Sequence, residues 1–94
     1  MSEWTFFSNH AHVLFLISDH EMVTARELSV KIGITERSVL KIIQDLHAEG
    51  FISVEKQGRN NLYRVNTSKR LRHPVESHVE VGHLIDFIGS LSKR

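Results

Sequence analysis

The chain has 94 residues, 40% of them hydrophobic and 24% charged, with a net charge of +1, which is the profile of one ordinary globular domain close to the size at which a lone core is marginal. Its lack of cysteine excludes disulfides, thiolate metal ligands and cysteine nucleophiles together. No apolar run approaches the ~18 residues needed to cross a bilayer, and Met1-Ser2-Glu3-Trp4 lacks the basic start of a secretory signal, so a cytoplasmic protein is expected.

Trp4, Phe6 and Phe7 open the chain with a dense aromatic cluster. Ser8 or Asn9 then suits the cap of a first helix over 8–18, whose apolar positions are Ala11, Val13, Leu14, Leu16 and Ile17. Asp19-His20-Glu21 reads as a turn and Met22-Val23 as a very short extended piece. Thr24-Ala25-Arg26-Glu27 fits a capping box, in which hydroxyl and carboxylate each take one orphan amide. The helix it starts spans 24–33, with Ala25, Leu28 and Ile32 inward and Gly33 as its left-handed stop.

Thr35 caps the next helix, predicted over 35–49, where Val39, Ile42, Ile43 and Leu46 repeat at helical spacing up to Gly50. A β-hairpin over 51–66 follows, its two runs rich in β-branched and aromatic residues and joined by the polar turn Gln57-Gly58-Arg59-Asn60-Asn61. Pro74 suits the first turn of a final helix over 74–91 with an apolar stripe of Val81, Leu84, Ile85, Ile88 and Leu91. Together these elements predict a single mostly helical α+β domain. It has the winged helix-turn-helix plan: a three-helix core, a two-stranded wing and a C-terminal dimerisation helix.

Charge is distributed unevenly along this plan. Residues 1–50 carry a net −3, residues 51–73 a net +5, and residues 74–94 a net −1. A basic segment in a near-neutral chain points to a polyanion, because neutralising phosphates releases their counterions.

A helix of ordinary width fits the major groove of duplex DNA. With Val39, Ile43 and Leu46 inward, the helical period turns Arg37, Ser38, Lys41 and Gln44 to solvent, and Leu40 to the same side. Arg37 suits guanine edges, Gln44 suits adenine, and Leu40 suits a thymine methyl. Thr35 and Ser38 offer short hydroxyls to phosphate beside the helix start. In the hairpin, Arg59 at the tip suits a minor groove, with Lys56 and Arg64 on the stem as phosphate contacts. Glu36 goes against this pattern; it either accepts from a cytosine amine or serves the helix start.

The stretch EMVTARELSVKIGITERSVLKIIQDLHAEGFISVEKQGRNNLYRVN, residues 21–66, resembles the winged helix of the MarR- and ArsR-type bacterial transcriptional regulators. The resemblance implies that residues 35–49 are the recognition helix, with Thr35, Glu36, Arg37, Ser38, Leu40 and Lys41 at DNA-facing positions. It also implies a homodimer on a pseudo-palindromic duplex. Leu28-Ser29-Val30 stands where ArsR metal sensors often carry cysteines, so thiolate sensing is excluded.

Val81, Leu84, Ile88 and Leu91 are spaced three, four and three apart, the rhythm of a helix-pairing seam. Ile85 and Phe87 widen that surface, and with Trp4, Phe6 and Phe7 they make a candidate dimer interface. Two other readings of the same fold stay open: a protein-interaction module, and a switch responsive to a small molecule or metal. For the metal, Glu76, Glu80 and His83 share one face of the predicted last helix. No glycine-rich phosphate loop, nucleophile elbow or metalloprotease signature is present, so neither an enzyme nor a resident cofactor is expected.

Overall fold

Each of the first three helices begins at a hydroxyl that satisfies an otherwise orphan amide. In the computed structural model, which describes residues 3–92 and side chains through residue 89, Ser8 Oγ accepts from the amide of Ala11 at the head of α1 (Asn9–Asp19). Thr24 and Glu27 form the full capping box of α2 (Ala25–Ile32), with bonds of 3.0 and 3.1 Å in the two directions. Donation to the Glu27 carboxylate from the Thr24 amide first, and from the Thr24 hydroxyl at 3.1 Å second, holds that carboxyl below the usual carboxylate range. Thr35 Oγ1 accepts from the Ser38 amide at the head of α3 (Glu36–Ala48). Gly33, at φ +86°, ends α2 in the left-handed region and lets the chain turn directly into α3.

The wing is β1 (Ile52–Gln57) paired antiparallel with β2 (Asn60–Val65), in register from Ile52↔Val65 to Gln57↔Asn60. Pairing runs further than the polar run 57–61 suggests, leaving only Gly58 and Arg59 in the turn. Gly58 lies at φ +64° and Arg59 does not have a positive φ, which is the pattern of a type II′ hairpin turn. The extended piece expected at Met22-Val23 is reduced to one backbone bond, from the Tyr63 amide to the Glu21 carbonyl at 2.9 Å.

The final helix differs most from expectation. It is α4 (Val81–Ser92), starting seven residues later than the predicted 74. Residues 73–80 instead form successive tight turns, with bonds from Glu76 to His73 and from Val79 to Glu76. The reason is a competing set of partners. Arg70 and Glu80 form an antiparallel bridge, Leu71 donates to Val79, and Val81 donates to Lys69, so the flanks of this loop satisfy each other. Pro74 therefore sits in a turn, where its ring costs nothing, and not in a helix start. The shared helical face of Glu76, Glu80 and His83 does not exist, because only His83 lies on α4.

Val13, Ile17, Leu28, Val39 and Val81 are fully buried at the junction of all four helices. Phe51, Ile52 and Tyr63 extend this core under the wing. Leu14 is buried as well, whereas its neighbours on the same face, Ala11 and Phe15, are half-buried. Helix α4 is fixed to the end of the wing at its first turn. The Gly82 amide donates to the Thr67 carbonyl at 2.9 Å, and a Cβ at position 82 would meet Thr67 Cβ at 2.9 Å. Glycine is needed there for close approach.

Candidate nucleic-acid interface

The outward face of α3 is set by the packing of its inward face. Val39, Ile42, Ile43 and Leu46 are buried, so the 3.6-residue period leaves Arg37, Ser38, Lys41 and Gln44 exposed together. Leu40 joins them, 55% exposed, as a large apolar side chain with no intrachain reason to face water. A shallow groove runs between this face and β1, lined by Arg37, Leu40, Gln44, His47 and Val54. His47 and Val54 are additions that the sequence alone did not indicate. Val54 is the apolar wall on the wing side, 37% exposed.

At the head of α3, Thr35 is already committed. Its oxygen caps the Ser38 amide and its proton goes to Ser38 Oγ at 2.9 Å, so Ser38 is the hydroxyl left with a proton to donate. Glu36 is exposed in the first turn, where a carboxylate complements the positive end of the helix.

Strand register separates the two stem cations. Side chains alternate across a strand, so Lys56 shares its face with Ile52 and Val54, the face turned to α3. Arg64 pairs with Ser53 on the opposite face. The two were expected to act alike on the stem; only Lys56 is on the side of the groove. A duplex seated in the groove would lose about one phosphate contact with Lys56→Ala, seen as a flatter salt dependence, and none with Arg64→Ala. Fluorescence anisotropy titrations at several salt concentrations read both. Arg59 occupies the exposed wing tip.

Lys41 does not stand alone. Its Nζ lies 2.5 Å from Asp45 Oδ1, one helical turn on, and the other oxygen of Asp45 lies 2.9 Å from His10 Nε2 on α1. The Lys41 hydrogen bond, and after it that of His10, holds the Asp45 carboxyl below its ordinary range. His10 and Asn9 thereby border the same cleft as Thr35, Arg37, Ser38 and Lys41.

The residues nominated for self-association divide. Trp4 and Phe6 are exposed and meet edge to face, with ring centroids 5.1 Å apart, and Phe7 packs edge to face on Phe15. Leu84, Ile85 and Ile88 are half-buried, and the Leu91 side chain lies outside the described residues. Val81 is a correction: it is fully buried within its own chain, because the late start of α4 puts it in the first turn against the core. Beside α4, a cavity of about 330 Å³ is floored by Leu14, Leu46, Phe51 and Leu84 and rimmed by Arg72 and Glu76. Among the described residues there is no group of three or more His, Asp or Glu able to hold a metal ion, and no helix long and apolar enough to cross a membrane.

No protein-family profile matches this chain. A 47-residue stretch, half of the chain, is 38% identical to part of the phenylalanine–tRNA ligase alpha subunit of Saccharolobus solfataricus, covering a tenth of that protein. Among solved structures, the chain is similar over its whole length to the zinc-dependent MarR family transcriptional regulator AdcR in its Zn(II)-bound state, with TM-score 0.54 and 24% identity. It is similar over 99% of its length to a mutant of Lactococcus lactis ZitR, with TM-score 0.58 and 20% identity. It spans 66% and 60% of those two chains. The shared architecture is the winged helix-turn-helix.

Proposed function

We propose that this winged helix-turn-helix chain is a sequence-specific double-stranded DNA-binding regulator of transcription, acting in the cytoplasm as a homodimer on a pseudo-palindromic site. The observation that carries the reading is the exposed face of α3. Arg37, Ser38, Leu40, Lys41 and Gln44 all reach solvent on one side, with Lys56 turned toward them from the wing. That face offers a guanine reader, an adenine reader, a methyl contact and phosphate donors on one helix that fits a major groove. Arg59 at the wing tip would reach the neighbouring minor groove. The likeness in fold to a MarR family transcriptional regulator supports the same assignment.

Dimerisation in this reading uses the half-buried Leu84, Ile85 and Ile88, continued by Leu91, together with Trp4, Phe6 and Phe7. A two-fold axis through those surfaces would set two copies of α3 about one DNA turn apart.

Selection from random duplex DNA tests the reading, followed by titration of the winning sequence at two salt concentrations. A palindromic consensus bound ~10³-fold or more tighter than scrambled DNA is the expected result. Affinity that collapses equally for every sequence as salt rises would overturn it. A second reading, a winged-helix module that serves within a larger assembly without reading bases, is favoured by the stretch similar to a tRNA ligase subunit. It predicts no consensus at all.

A further inference from the structure

Lys41 is the cation closest to the middle of the proposed DNA-reading face, yet a carboxylate on its own helix already holds it. That bond uses one of the three N–H donors of Lys41, so a DNA phosphate or base edge that draws the ammonium toward itself competes with Asp45 for its charge. Removing it leaves Asp45, with a full negative charge, beside an incoming polyanion. The side chain in place to neutralise that charge is His10, on the other oxygen of the same carboxylate.

We propose that His10 is a positioning residue for DNA binding: on duplex binding the His10 imidazole takes up a proton and becomes the counter-ion of Asp45, releasing Lys41 to the DNA. The inference rests on the DNA-binding reading above. Atoms balance simply: one proton leaves solvent for the imidazole, the Lys41–Asp45 hydrogen bond breaks, and a Lys41–DNA bond forms. The His10–Asp45 hydrogen bond persists, now between opposite charges.

Three features of the site support this handover. Asp45 is only partly shielded, its side chain 37% exposed, so DNA can approach while the carboxylate keeps both partners. Asp45 is held below the ordinary carboxylate range by the Lys41 hydrogen bond first and the His10 bond second, so both partners share an anion. The other charged groups around His10 nearly compensate one another. From α3 come Arg37 and Lys41 against Asp45 and Glu49, and from the segment before α4 come Arg72 and Glu76, Arg72 being paired with Glu49 at 4.0 Å. On its own helix, His12 is hydrogen-bonded to Asn9 at 3.1 Å. Losing Lys41 to DNA tips this balance toward negative charge and favours the imidazolium.

The test measures affinity for the selected duplex by fluorescence anisotropy at constant ionic strength from pH 8 to pH 6. Because one linked proton changes an equilibrium constant by at most tenfold per pH unit, the wild-type chain is expected to bind about 3- to 10-fold tighter at pH 6 than at pH 8. His10→Gln, which keeps a hydrogen-bond donor but cannot titrate, is expected to hold the weaker pH 8 affinity throughout. Asp45→Asn, which removes the competitor for Lys41, is expected to bind at pH 8 at least as tightly as the wild type at pH 6. His78→Gln, removing an exposed histidine of the turns before α4, away from the DNA-facing groove, should retain the His10-linked increase. If His10→Gln keeps the wild-type pH dependence, or if wild-type affinity does not change with pH, the handover is wrong and the DNA-binding reading survives. If no duplex is bound at either pH, both are overturned.

Discussion

Leu28→Ala is expected to lower the free energy of unfolding by about 2–5 kcal/mol, read from urea titration at fixed protein concentration. Leu28 is fully buried where α2 packs between α1 and α3, and its side chain is among the largest with no exposure. Removing three carbons there forfeits their transfer free energy and leaves a void that three helices, each capped at its start, cannot close by sliding. A domain of this size has about 5–15 kcal/mol in total, so the loss is a large fraction of it. Val30→Ala, two residues away on the same helix, is the control. Val30 is 76% exposed, and its truncation is expected to change stability by less than about 0.5 kcal/mol. Equal losses at both positions would contradict the inward face assigned to α2.

Arg37→Ala carries the largest expected effect on binding. Arg37 stands exposed in the first turn of α3, shared by the cleft at the helix start and the groove beside the wing. A bidentate arginine–guanine contact contributes about 1–3 kcal/mol of discrimination, so affinity for the selected site should fall roughly 5- to 150-fold. Preference at one base position should disappear with it, while affinity for scrambled DNA changes little. A uniform loss across all sequences would make Arg37 a phosphate contact and move base reading toward Gln44 and Leu40.

Much of this architecture was legible because its signals are local. Ser8, Thr24 and Thr35 announce helix starts within three residues of the amides they cap, and Gly33 marks a stop that needs positive φ. The exposed face of α3 follows from a 3.6-residue period alone. What escaped notice depends on contacts between distant segments. Pro74 and the apolar stripe beyond it suggest one long helix, and only the pairing of 69–71 with 79–81 shows why that helix waits until Val81. Lys56 and Arg64 look equivalent until the register Ile52↔Val65 assigns them to opposite faces. Lys41 and Asp45 stand one helical turn apart and were open to a pairing argument, but their link to His10 spans 35 positions and has no sequence signature.

The seating of Gly82 against Thr67 has a mechanical consequence. Thr67 is two residues beyond the last residue of β2, and the first turn of α4 touches its backbone with no side chain between them. The wing and the last helix thus meet directly at Gly82, beside the pairing of 69–71 with 79–81. A tilt of α4 would therefore bear on the root of the hairpin whose tip carries Arg59. A methyl group at position 82 would push Thr67 away and loosen that contact, while the pairing of 69–71 with 79–81 would still hold the helix start.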